Sequence, residues 1–194
     1  MRAISNQYAD PLDLIWIHAA RRMGLRIQRS NQVFASWNGR DTLTLGVPES
    51  LDPDDSLAQL VFHEICHALC EWPDGFRQPD WGLESDNPAH RVREHACLRL
   101  QAALSQRFGL RQFFAATTVF RRYYDKLPTD PLQDEGDPAV AIARQALLHL
   151  QSSGWKTPVD NALSQTAQIA DIVKNVVGQD SLWATANQSP RLPD

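Results

Sequence analysis

PDDSLAQLVFHEICHALCEWP, residues 53–73, decides how the rest of the chain is read. Pro53, Asp54, Asp55 and Ser56 read as a helix start, with acids in the first turn where the helix dipole favours them. Leu57, Leu60, Val61, Ile65 and Leu69 recur at helical spacing, which predicts an amphipathic helix. Trp72-Pro73 ends it, because the residue before a proline is pushed out of the helical region. Within this helix lies His63-Glu64-Ile65-Cys66-His67. Helical positions i and i+4 differ by about 40° and one turn of about 5.4 Å, so both imidazoles project together and can share a metal ion. Glu64 stands about 100° round from His63, poorly placed as a ligand but well placed to reach the water such an ion activates. The apolar flanks Leu60, Val61, Phe62 and Ile65 strengthen this reading, since half-buried imidazoles require polar partners.

A zinc or iron ion bound in this way needs a third protein ligand and an open position. ALCEWPDGF, which follows the motif, lacks the closely spaced Gly and His of the metzincin extension. Glu94 lies 27 residues past His67, in the first turns of the next predicted helix, REHACLRLQ. It is the favoured third ligand, because a helix fixes side-chain direction better than a loop does. Glu84 and Asp86 in the loop GLESDNP compete with it, as do His90 and His95.

Upstream of the motif, Asp10-Pro11 starts a helix whose face is Leu12, Ile15, Trp16, Ala19 and Met23, ending at Gly24. Three short segments follow, Leu25–Arg29, Val33–Trp37 and Thr42–Leu45, with Asn38-Gly39 as a hairpin turn between the last two. They predict a small, mostly antiparallel sheet over 25–46. Downstream come a loop over 73–89, a helix over 90–108 and an aromatic-rich stretch over 110–126 that is helical in pieces. LPTDPLQDEGDP, 127–138, reads as a linker, and two helices follow over 138–153 and 160–177. The expected fold class is α+β, with a catalytic unit over 1–126, a linker and helical pair packed on it over 127–178, and a frayed tail over 179–194.

The 194 residues suit one domain with an appendage, and 43% hydrophobic with 22% charged residues is ordinary for a soluble chain. Nineteen Lys and Arg against 23 Asp and Glu give a formal charge of −4, without the basic footprint of a phosphate-backbone binder. No nucleic-acid partner is expected. The longest apolar runs are too short for a bilayer, and the N-terminal MRAISNQYADPLD has no signal-peptide core, so no membrane partner and a cytoplasmic location are expected. Three cysteines, two of them at i and i+4, argue against a disulfide framework.

The order helix, three strands, HExxH helix, glutamate helix resembles the gluzincin metallopeptidases in their minimal single-domain form, over about residues 10–108. That resemblance implies a zincin-like fold, zinc on His63, His67 and Glu94, Glu64 as general base, and a peptide or protein substrate. It also implies that the strand Thr42–Leu45 lies along the cleft as an edge that binds substrate by strand addition. Many gluzincins place an Asp four residues after the ligand Glu to orient a histidine; here that position is Leu98, and Asp80 or Asp86 is left to replace it. A looser resemblance, carried by HExxH followed by Asp80-Trp81-Gly82 and a downstream Glu, is to the bacterial elongation factor P hydroxylases. It implies a non-haem Fe(II) site on the same ligands. The third alternative is a metal-stabilised binding protein without turnover.

Weaker candidates surround the motif. Cys66, Cys70 and Cys97 read as small buried hydrophobes, although Cys70 is near enough to His67 to reach a metal. Tyr123 and Tyr124 offer hydroxyls for an oxyanion, against the commoner role of aromatics as core. Trp72 and Trp81 bracket the loop after the motif and either wall a cleft or cap the core. The helical pair over 138–177 carries no catalytic constellation.

Overall fold

Asp10 caps the first helix as its sequence predicts: its carboxylate accepts the N–H groups of Leu12 at 2.8 Å and Asp13 at 3.4 Å. In the computed structural model, which describes residues 5–6, 8–84, 87, 90–134 and 136–186, this helix is α1, Pro11–Arg22. Three strands follow: β1, Arg26–Ser30; β2, Ala35–Trp37; and β3, Thr42–Gly46. Asn38-Gly39 makes the expected hairpin. The Asn38 side chain accepts from the backbone of Arg40, Asp41 and Thr42, and Gly39 takes a left-handed φ of +75°.

The strand order is β1-β3-β2, with β1 parallel to β3 and β2 antiparallel to it. The sheet is therefore mixed rather than mostly antiparallel, and Thr42–Leu45 is its centre, not the cleft edge the gluzincin resemblance implied. Burial explains the choice. Leu43 and Leu45 of β3 are fully buried, whereas β1 alternates exposed and half-buried residues and belongs at a rim. The edge that borders the cleft is β2.

The motif helix, α2, spans Leu57–Cys70 and is capped by the Ser56 side chain, which accepts from Gln59 N at 3.2 Å. Asp54 and Asp55 precede this cap instead of occupying the first turn, and Asp55 accepts a 2.6 Å bond from the Thr117 hydroxyl. Thirteen of the fourteen residues of α2 are buried, so it is a central helix apolar nearly all round rather than the amphipathic one predicted. It packs against α1, α3 (Arg91–Gln106) and, after the short α4 (Arg121–Asp125), α5 (Ala139–Ser152). Buried polar atoms on α2 therefore need partners inside the protein, and Gln59 Oε1 and His67 Nδ1 have none among the described residues.

The helix α6, Lys156–Val173, starts four residues before the predicted 160 because Pro158 is accommodated in its first turn, where no N–H is needed. It packs on α1, where the Trp16 indole donates to Thr166 Oγ1 at 3.0 Å. One hydrophobic core runs from Leu12 through α2 and α3 to α5 and α6. The predicted linker is tied to that core at Pro131 and Asp137. Buried Arg99 donates to Pro131 O at 2.6 Å and to Asp137 at 3.1 Å, while Asp137 caps the start of α5 through Ala139 N. The first part of the predicted frayed tail is instead ordered: Leu182–Thr185 forms a 3-10 turn, and Trp183 packs on Phe113 with ring centroids 4.7 Å apart. Residues 187–194 lie outside the described residues. Among the described residues no helix is long and apolar enough to cross a membrane.

Candidate metal centre

The helical spacing brings the two imidazoles together as expected. His63 Nε2 and His67 Nε2 are 3.1 Å apart on adjacent turns of α2. Glu94, in the first turn of α3, straddles both: one carboxylate oxygen is 3.3 Å from His63 Nε2 and the other 3.1 Å from His67 Nε2. Ligands bound at about 2.0–2.1 Å to a tetrahedral ion stand about 3.3–3.4 Å from one another, so these three groups converge at the separations such an ion requires. Burial opposes a charged His63 ring, but the Glu94 carboxylate beside it outweighs burial and raises its pKa to about 10. Burial likewise works against the Glu94 carboxylate, and the two histidines override it and hold the group far below the usual carboxylate range. A metal ion would replace the proton that now holds this cluster together.

Gln101 fixes the orientation of His63. Its Nε2 donates to Phe114 O, which leaves its Oε1, 2.9 Å from His63 Nδ1, as an acceptor. Nδ1 must carry a proton, so Nε2 is the nitrogen that could turn a lone pair to a metal once its own proton is displaced. Asp80 does not take this role, and Asp86 lies outside the described residues. Gln101 was missed in the sequence, yet it stands seven residues after Glu94 on the same face of α3, and that i+7 spacing was the signal available. Gln101→Leu is expected to weaken metal affinity about 10–100-fold while leaving the fold intact, measured by competition with a chromophoric chelator. Unchanged affinity would mean that His63 is held by packing alone.

Cys97 is also drawn into the site. Its Sγ is 3.6 Å from His63 Nδ1 and donates to His63 O at 3.4 Å, and with the two histidines it forms a compact group of ligand atoms within 4.8 Å. It meets the Nδ1 edge of the ring, however, the edge that Gln101 occupies, whereas Glu94 faces both Nε2 atoms. Burial also pushes its thiol pKa well up, away from the thiolate that metals prefer. Among the described residues the compact group of ligand atoms is His63, His67 and Cys97, while the Glu94 carboxylate contacts both Nε2 atoms. Cys66 and Cys70 are buried in the core, and among the described residues neither joins a compact ligand group.

Glu64 is buried, with its Oε2 2.7 Å from the indole nitrogen of Trp81, which donates to it. Trp81 stacks on Trp37 of β2, ring centroids 4.6 Å apart and 7° from parallel. The loop is locked to the same strand a second time, by Trp37 N donating to Asp80 Oδ1 at 3.0 Å. To make this turn, Asp80, Trp81 and Gly82 adopt φ of +48°, +60° and +72°, a conformation costly for the two that are not glycine. Trp81 thus walls the cleft, while Trp72 is displaced to the surface and stacks on His149.

The other candidates are placed elsewhere. Glu84 is exposed at the rim, accepting from Asn87, and its backbone N–H is taken by His90 Nδ1. His95 lies flat against Tyr123 at 3.6 Å. The Tyr123 hydroxyl is committed, accepting from Arg99 and donating to Asp137, and the fully buried Tyr124 hydroxyl donates to Arg111 O. Neither tyrosine is free to hold an oxyanion. His63, His67, Glu94 and Glu64 line an open cleft of about 1210 Å³ between the β2 edge, the Asp80-Trp81 loop, the start of α3 and the segment 115–126. Comparison with protein-family models, curated proteins and solved structures finds no match to the chain.

Proposed function

We propose that this chain is a zinc-dependent metallopeptidase of zincin-like fold, with zinc on His63, His67 and Glu94 and a peptide or protein as substrate. The observation that carries this reading is the convergence of two imidazole nitrogens 3.1 Å apart with the two oxygens of one carboxylate, each 3.1–3.3 Å from one of them, in an open cleft beside the buried carboxylate of Glu64. When bound, the metal supplies Lewis acidity, polarising the scissile carbonyl and acidifying a water. Glu64 would hold and move the proton, accepting it from a water in the cleft and passing it to the departing amine nitrogen. Trp81 holds one Glu64 oxygen by its indole N–H and leaves the other for this transfer. The Trp37–Trp81 stack shields the carboxylate from bulk solvent on that side.

Metal analysis of protein purified without chelators tests the reading first. About one zinc per chain is expected, with hydrolysis of an unstructured protein such as casein that stops on chelation and returns with zinc. A chain holding no transition metal would overturn it.

The strained, doubly anchored Asp80-Trp81-Gly82 turn favours one alternative, because it is the loop on which the likeness to elongation factor P hydroxylases rests. Two histidines and a carboxylate equally suit non-haem Fe(II). In that case protein handled anaerobically takes up iron in preference to zinc and consumes O₂ with a protein substrate, leaving peptide bonds intact.

A further inference from the structure

The short helix α4, RRYYD, divides its charges between two sides. Arg121, which does not line the cleft, takes the carboxylate of Asp125 at 2.8 Å. Arg122 and Lys126 stand four residues apart, about one turn, and both are exposed and line the cleft. Neither enters an ion pair among the described residues. Arg91 lines the cleft from the start of α3, but Glu84 is bonded to the adjacent His90 and offsets part of its charge. The positive charge of this wall is therefore carried by Arg122 and Lys126, in a chain whose formal charge is −4.

This wall is fixed beside the metal centre. Tyr123, next to Arg122, lies flat against His95 at 3.6 Å, and His95 follows Glu94 in the chain. The Tyr123 hydroxyl is held in turn by Arg99 and Asp137, which anchors α4 to α3. The lining carboxylates Asp55 and Asp80 are engaged elsewhere, by the Thr117 hydroxyl and by Trp37 N.

We propose that Arg122 and Lys126 bind a carboxylate of the substrate, so that the cleft selects acidic peptides. The guanidinium of Arg122 matches both oxygens of a carboxylate, and Lys126 adds a second positive charge. Val119, 90% exposed, lines the cleft three residues earlier and offers apolar contact to the methylenes of a glutamate. An acidic side chain and a peptide C-terminus present the same group. A phosphate backbone suits the cleft less well, because its successive charges would also meet Asp80 and Glu84. This inference rests on the metallopeptidase reading for the consequence that the bound peptide is cut, and it names the substrate class.

The test is isothermal titration of N-acetylated decapeptides into the full chain, as metal-free wild type and as zinc-loaded Glu64→Gln, so that binding is read without cleavage. One peptide alternates Ala with Glu and another Ala with Gln, each made as C-terminal acid and as amide. At about 0.05 M salt the Glu amide is expected to bind about fivefold more tightly than the Gln amide, the scale of two exposed ion pairs, and the gap should close at about 0.5 M. The same gain seen only for the Gln acid over its amide would assign the bound group to the C-terminus. Either gain should vanish in Arg122→Gln/Lys126→Gln and reverse in Arg122→Glu/Lys126→Glu, where exposed positions spare the fold. Absence of binding, equal binding of all four peptides, or a gain that survives in both variants would overturn the proposal. So would tighter binding of a thymidine oligonucleotide of equal charge. A carboxylate preference without cleavage of the Glu peptide by the zinc-loaded wild type would overturn the metallopeptidase reading and leave the carboxylate site standing.

Discussion

Glu64→Gln is expected to keep the bound metal and to lose hydrolysis by about 10²–10⁴-fold in kcat, the usual contribution of a positioned proton-transfer group. The substitution is close to isosteric, and the Trp81 indole, 2.7 Å away, can still donate to the amide oxygen. Nothing in the ligand set changes, because His63, His67 and Glu94 contact one another and not Glu64. Metal content by atomic emission and kcat on the same preparation therefore separate base from ligand. Metal lost together with activity would show that Glu64 is a ligand. Activity retained in the variant would remove Glu64 from the mechanism. A wild type that cleaves nothing, yet loses much of its thermal stability on chelation, would instead favour the metal-stabilised binding protein.

Glu94→Ala is the second large effect. Its carboxylate contacts both Nε2 atoms, so on the proposed ligand set its removal leaves two ligands, which rarely hold zinc at physiological concentration. The metal-free protein should suffer as well. Breaking a buried charge pair by deleting one partner costs about 3–5 kcal/mol, and the Glu94 and His63 side chains are 20% and 25% exposed, so solvent screening moderates that figure only in part. Chemical denaturation of metal-free wild type and variant measures this loss, while equilibrium dialysis against zinc measures the affinity. Cys97→Ser serves as the discriminating control and is expected to retain the metal, since Cys97 meets the opposite edge of His63. Zinc retained in Glu94→Ala but lost in Cys97→Ser would reverse the assignment of the third ligand.

Local chemistry fixed much of the site before any fold was known. The i, i+4 histidines were bound to converge on a helix, and Glu64 was bound to stand off to one side. Asp10-Pro11, Asn38-Gly39 and Trp72-Pro73 bounded their elements through dihedral preferences that hold in any context. The pairing of Glu94 with both histidines was legible only as a preference over Glu84, because 27 residues of intervening chain set the distance between helices.

Tertiary packing decided the remainder. Which strand becomes the centre of a sheet depends on what covers its faces, so β3 moved to the middle and β2 became the cleft edge. The full burial of α2 required α5 as well as α1 and α3, and the helical periodicity of α2 alone suggested an exposed face that does not exist. Gln101, Gln59 and Trp81 are positioned by partners 38, 54 and 17 residues away. Hydrogen bonds over such separations leave little local trace, because their donors and acceptors meet only after the apolar core has drawn the helices together.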